Sequence, residues 1–218
     1  MKTARITTGR ELPIGKILCI GRNYVDHIRE LGNETPSAPV VFMKPASSVI
    51  GDGGEIVIPA YSANCHHEAE LALLVGHGGK NIPEVEALAS LAGYGVAIDL
   101  TLRDVQDELK KKGLPWDIAK GFDTACPLSE FVPAERVGDP QQLTIIMTVN
   151  GEERQHGNTA LMINPVASII SHLSTIFTLE PGDVILTGTP AGVSRIVPGD
   201  RLTAEIPGVA MLRVSVKA

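Results

Sequence analysis

The sequence predicts an α+β fold that is mainly β, with short helices at its periphery. Strand-length runs, apolar or alternating, outnumber helical stretches. Gly- and Pro-containing turn signals bound those runs, and the dipeptide Asn150-Gly151 after an alternating segment is a strong type I′ hairpin signal. The 218 residues suffice for one substantial core. No Ser/Gly-rich or highly charged stretch separates two apolar halves, so the expectation is a single domain over 1–218, with 1–15 as an N-terminal segment.

Charge and cysteine usage narrow the function classes. A formal charge of −6 with no basic run beyond Lys110-Lys111-Lys112 argues against binding to nucleic acid or to anionic membranes. The three cysteines, Cys19, Cys65 and Cys126, form no C-x-x-C pair and read as buried thiols of a reducing cytoplasm. No apolar run reaches the roughly 18 residues of a membrane span.

Taken in order, Lys16-Ile17-Leu18-Cys19-Ile20 reads as a buried strand ending at Gly21. A short polar helix follows over 25–31, where His27 and Glu30 are i, i+3 neighbours. On that face a carboxylate can orient an imidazole, or both can simply be solvated. The loop-like run 32–39 makes 22–39 a lid in this reading. Val40-Val41-Phe42 forms another strand, ending at Met43-Lys44-Pro45, where Lys44 either caps the strand or reads a ligand.

The chemistry concentrates next. In His67-Glu68-Ala69-Glu70 and the apolar run to Val75, strand alternation puts Glu68 and Glu70 on one face with His66 beside them. Alternate Cα atoms are roughly 7 Å apart. Two carboxylates so placed stay in water on an edge strand, share a proton or grip a cation. Hard oxygen donors suit Mg²⁺, Mn²⁺ or Ca²⁺. A further strand, 93–98, ends at Asp99. Thr101 to Asp104 then has the form of a capping box opening a helix that runs to about Lys112 and stops at Gly113. On that helix Arg103 and Gln106 look back toward Asp99 or sit on its surface. Lys120 lies between apolar neighbours, either snorkelling or functional.

In the last third, Leu143 to Val149 and Glu152 to Gln155 form the hairpin, with His156 beyond it. Asn164-Pro165 has helix-start chemistry ahead of an apolar stripe of Val166, Ile169, Ile170 and Leu173. Pro-Gly-Asp at 181–183 and 198–200 marks turns before strands. The turn Thr187-Gly188-Thr189-Pro190 can cradle an anion but has no P-loop spacing.

Gly21-Arg22-Asn23-Tyr24, Phe42-Met43-Lys44-Pro45, His67-Glu68-Ala69-Glu70, Asp99, Arg103-Asp104-Val105-Gln106, Lys120 and Thr187-Gly188-Thr189-Pro190 together resemble the fumarylacetoacetate hydrolase family. The likeness is to its small, single-domain acylpyruvase and oxaloacetate decarboxylase branch. It implies a mixed β-roll or sandwich around a deep pocket, and a homodimer. It also implies one Mg²⁺ or Mn²⁺ on Glu68, Glu70 and Asp99, with Lys120, Arg103, Gln106 and Thr189 holding the substrate and His27 with Glu30 as a dyad on the lid. The activity first expected is hydrolysis of the C–C bond of 2,4-diketo acids, such as fumarylpyruvate or acetylpyruvate, to pyruvate and a carboxylic acid. The alternatives are oxaloacetate decarboxylation or keto–enol tautomerisation at the same site, and a non-catalytic ligand-binding module.

Overall fold

The computed structural model describes residues 2–218. Its centre is a six-stranded mixed sheet in the order Val132–Pro133, Leu91–Ile98, Ala69–Val75, Val184–Leu186, Ile17–Gly21, Val40–Lys44. The strand Ala69–Val75 is buried along its whole length, antiparallel to both of its neighbours. That rules out the solvated edge strand that Glu68 and Glu70 alone would have allowed.

Both faces of this sheet are covered, which is why its inner strands read as nearly continuous apolar runs. Leu18, Ile20, Leu71, Leu73, Val96 and Ile98 point into the larger core cluster. There they meet Ile145, Met147, Leu202, Ala204, Leu212 and Val214 from a five-stranded sheet, ordered Glu152–Asn158, Thr144–Val149, Arg201–Ile206, Ala210–Val216, Glu55–Ile56. The opposite parity, Ile17, Cys19, Ala72, Leu74, Ala97 and Leu186, faces a second cluster with Ala4, Ile6, Leu128 and Phe131. The N-terminal segment contributes to this cover as a strand pair, Thr3–Arg5 with Glu11–Pro13. Helix Val166–Ile176 buries the expected stripe, Val166, Ile169, Ile170 and Leu173.

Turn chemistry holds where the sequence marks it. Asn150 and Gly151 take φ 53° and 83°, both left-handed as a type I′ turn demands. Gly113 ends helix Arg103–Lys112 at φ 64°. Both Pro-Gly-Asp turns precede strands, Val184–Leu186 and Arg201–Ile206.

Local details differ from expectation in three places, the first two because a long-range partner outbids a local one. Asp104 forms no capping box. Its carboxylate instead accepts from Ser62 Oγ at 2.6 Å and from the Ala63 and Val105 amides at 2.8 and 2.9 Å. Asn164 does not cap helix Val166–Ile176, since its side chain donates to Asn23 Oδ1 at 3.0 Å. The hairpin arm runs on to Asn158, so His156 lies on it, exposed, 3.2 Å from Glu153 Oε2. A short helix, Asp117–Lys120, follows Trp116 and carries Lys120 at its end.

Candidate active site

Sheet parity builds the floor of the site. Glu70 pairs across the sheet with Ala97, and the Asp99 amide donates to the Glu68 carbonyl at 2.7 Å. Glu68, Glu70 and Asp99 therefore continue the parity of Ala72, Leu74 and Ala97, but lie at the end of the sheet where the apolar cover stops. Each offers a carboxylate oxygen within 4.8 Å of the other two, and all three are at most 5% exposed. Glu68 falls in the break between strands Cys65–His67 and Ala69–Val75. His66 does not join this pocket, and its Nε2 pairs with Asn64 Oδ1 at 3.0 Å.

Three buried cations face the three acids. Lys120, placed by helix Asp117–Lys120, reaches Glu68 Oε2 at 2.9 Å and Asp99 Oδ2 at 2.5 Å. Arg103 pairs with Glu68 Oε1 and donates to Gln106 Oε1 at 2.8 Å. Lys44, the last residue of its strand, is 2.8 Å from Asp99 Oδ1. It also donates to the carbonyls of Leu100, at 3.2 Å, Ala125, at 2.9 Å, and Lys120. Lys44 is thus neither a strand cap nor a free ligand reader. Burial raises the pKa of Glu68, but Lys120 and Arg103 outweigh it and hold the carboxyl well below the usual range. For Lys120, burial works against the charge, and Asp99 and Glu68 overcome it and raise the pKa.

Glu70 is the exception. Burial, then repulsion from Asp99 and Glu68, pushes its carboxyl well above the usual range. Its hydrogen bond is to the Gly188 amide at 2.6 Å, and no ion pair reaches it among the described residues. A buried acid short of a cation, beside two more hard oxygen donors, fits Mg²⁺ or Mn²⁺.

The Gly-rich turn closes one wall. Gly188 has φ 93°, and a Cβ there would lie 2.8 Å from Asn23 Cβ, so both the conformation and the close approach require glycine. Thr189 follows, its Oγ1 donating to the Ala69 carbonyl at 2.8 Å and accepting from Gln155 Nε2 at 2.7 Å. Gln155 in turn bonds His67 Nδ1 at 3.1 Å, and His67 Nε2 pairs with Ser194 Oγ at 2.8 Å. This Thr189-supporting chain was missed from sequence. The available signal was a glutamine at an inward position of the hairpin arm.

Helix Val25–Glu30 forms the other wall. His27 is 6% exposed, and its Nδ1 lies 3.3 Å from Glu30 Oε2. Glu30 Oε1 accepts from the Gly192 amide at 3.0 Å, which ties the helix to the far side of the Gly-rich turn. His27, Glu68, Glu70, Asp99, Arg103, Gln106, Lys120 and Thr189 all line one pocket, with Glu30 behind His27. No helix among the described residues is long and apolar enough to cross a membrane.

The family model for the fumarylacetoacetate (FAA) hydrolase C-terminal domain matches residues 16–217. The chain is 49% identical over 201 residues to the mitochondrial oxaloacetate tautomerase FAHD1 of Mus musculus, covering 92% of this chain and 91% of that protein. It is 47% identical over 199 residues to the oxaloacetate tautomerase YcgM of Escherichia coli (strain K12), covering 91% of each. Among solved structures, fumarylpyruvate hydrolase from Pseudomonas aeruginosa in complex with Mn²⁺ and pyruvate superposes with a TM-score of 0.95 at 36% identity, over 99% of this chain and 95% of that one. A matching family model over most of the chain, two enzymes of nearly half-identical sequence and a shared fold agree with the motifs and the acidic pocket: the chain belongs to the fumarylacetoacetate hydrolase family.

Proposed function

We propose that the protein is a Mg²⁺- or Mn²⁺-dependent oxaloacetate keto–enol tautomerase. This moves hydrolysis, the activity first expected, to second place. The observation that carries the reading is His27, held from behind by Glu30 and lining the same pocket as the three carboxylates and Lys120. The likeness to two enzymes named as oxaloacetate tautomerases supports it.

In this reading Glu68, Glu70 and Asp99 hold the ion. When bound, it supplies a Lewis acid that stabilises negative charge on the oxygen of a 2-oxo acid. Lys120 brings a second positive charge to that oxygen, while Arg103, Gln106 and the backbone amide of Thr189 hold the adjoining carboxylate. His27 moves the proton. Its Nδ1 is held by Glu30, and its Nε2 has no hydrogen bond among the described residues, so that nitrogen is the acid–base group toward C3 of the substrate. Taking the proton from C3 of the keto form and delivering one to the oxygen gives the enol, and the reverse sequence restores the ketone. The low exposure of His27 keeps bulk water from that exchange.

The second reading, acylpyruvate hydrolysis, draws on the fold shared with fumarylpyruvate hydrolase. There His27 would take its proton from water attacking the 4-carbonyl. The two readings separate by following the ultraviolet signal of enol-oxaloacetate and, in parallel, pyruvate release from fumarylpyruvate and acetylpyruvate, each with EDTA-stripped and Mn²⁺-loaded protein. Metal-dependent tautomerisation above background, falling about 10²- to 10⁴-fold in His27→Ala, is expected. Rapid acylpyruvate cleavage without tautomerisation would replace the first reading by the second. The same reading takes the protein as a homodimer, which light scattering at micromolar concentration tests.

A further inference from the structure

The mouth of the pocket carries two cations that the acids below do not account for. Glu68 and Asp99 are matched by Lys120, Arg103 and Lys44. Arg22 and Lys110 line the same pocket and are left over. Arg22 has no carboxylate within ion-pair distance among the described residues, and its Nη2 donates only to the neutral Asn33 Oδ1 at 3.1 Å. Lys110 has only the exposed Asp107, at 3.8 Å, and its Nζ sits 5.5 Å from the Trp116 ring centroid. Both side chains are half-buried. Lys110 is also near enough to Arg103 and Arg22 that, after burial, their charges push its pKa down against the pull of Asp107.

The backbone at Arg22 adds a second, independent observation. Its φ is 58°, the left-handed region that glycine adopts freely and a long side chain does not. The chain turns there immediately after strand Ile17–Gly21, and the turn sends the arginine side chain into the pocket lining. A strained arginine where glycine would be relaxed marks a side chain with work to do. Half-buried cations of one sign, gathered without acids, call for an anion.

We propose that Arg22 and Lys110 form a subsite for the remote carboxylate of the substrate, so that the site selects dianionic 2-oxo acids, of which oxaloacetate is one, over monoanionic ones. This rests on the reading that the floor of the pocket takes the 2-oxo-acid end. Arg22 supplies a planar fork suited to a carboxylate, and Lys110 a point charge beside it.

The chain contains a single tryptophan, Trp116, and it lines this pocket, so its fluorescence reports binding without turnover. Stopped-flow titration of the Mn²⁺-loaded protein would compare oxaloacetate with 2-oxobutyrate, which has a methyl group in place of the remote carboxylate. Oxaloacetate should bind at least tenfold tighter. Arg22→Gly and Lys110→Met should each weaken oxaloacetate about 10- to 100-fold, the worth of one charge-assisted hydrogen bond, and leave 2-oxobutyrate within about twofold. Arg22→Lys should restore part of the loss. Because Arg22→Gly relieves the φ 58° conformation, its melting temperature should equal or exceed that of the wild type, which separates loss of binding from loss of fold. Equal affinity of the wild type for the two acids, or equal losses for both in the variants, overturns the subsite alone. Failure of both acids to bind the wild type overturns the reading of the pocket floor and the subsite with it. Normal discrimination without any tautomerisation leaves the subsite standing and removes only the proposed reaction.

Discussion

Lys44→Met removes the cation beneath Asp99, and the structure sets the size of the effect. The ammonium lies 2.8 Å from Asp99 Oδ1, at 0% side-chain exposure, and also satisfies three buried carbonyls, those of Leu100, Ala125 and Lys120. Removing one partner of a buried pair costs about 3–5 kcal/mol. Lys120 still touches Asp99, at 2.5 Å, so the lower end applies. For a chain of this size each kcal/mol moves the melting temperature by about 2–4 °C, so a loss of about 3 kcal/mol predicts a fall of about 6–12 °C. Melts of metal-free protein followed by circular dichroism would measure it. Mn²⁺ should then stabilise the variant more than the wild type, because its Asp99 carboxylate lacks one cation and an ion that binds only the folded state adds stability by mass action. A metal-free variant melting within about 2 °C of the wild type would refute the reasoning, since Lys44 would then be relieving no unpaired charge.

Glu70→Gln should separate stability from metal binding. It removes the carboxyl that burial, Asp99 and Glu68 push well above the usual range, so metal-free protein should melt at the same temperature or higher, while calorimetry finds Mn²⁺ affinity lowered at least about 100-fold. Because burial and the neighbouring acids raise the Glu70 pKa, the ion competes with a proton there and wild-type Mn²⁺ affinity should rise with pH; affinity independent of pH would contradict that raised pKa. Asp104 tests a pH effect away from the metal site. Burial is the largest single influence and raises its pKa, but bonds from Ser62, Ala63 and Val105 together outweigh it and lower the pKa, so its contribution is present above the unfolded value near 4 and is lost as pH falls through the folded one. The melting-temperature gap between the wild type and Asp104→Asn should therefore be constant at neutral pH and close below about pH 4; a gap unchanged in acid would argue against it.

Much of the molecule was legible in the chain because it depends on short-range geometry. Alternation alone put Glu68 and Glu70 on one side of a strand, and Asn150-Gly151, Gly113 and the two Pro-Gly-Asp turns mark real chain reversals and helix ends, since the backbone angles at these positions restrict which residues fit. The apolar run over 71–75 marked a strand but left a solvated edge open for Glu68 and Glu70, and its burial came from the sheet order. The same run could not say what lay beside it.

Sheet order decided the rest. Strands Ile17–Gly21, Val184–Leu186 and Ala69–Val75 are neighbours in space but far apart in sequence, and only their pairing brings Gly188 to Glu70 across 118 residues. Packing of the five-stranded sheet against this one brings Gln155 to Thr189. Lys44 meets Asp99, just past the end of strand Leu91–Ile98, although three strands separate the two strands in the sheet, a contact no local pattern contains. Polar side chains such as Asp104 and Asn164 left their local capping roles for the same reason: tertiary packing supplies Asp104 with the Ser62 hydroxyl and the Ala63 amide as donors, and Asn164 with the Asn23 side-chain carbonyl oxygen as an acceptor, and these bonds outweigh the weaker gain of capping an exposed helix end. The sequence by itself thus determined which residues carry the charge and where the chain bends. The tertiary structure alone decided which charges pair, leaving Glu70 short of a cation at the floor of the pocket and Arg22 and Lys110 short of an anion at its mouth.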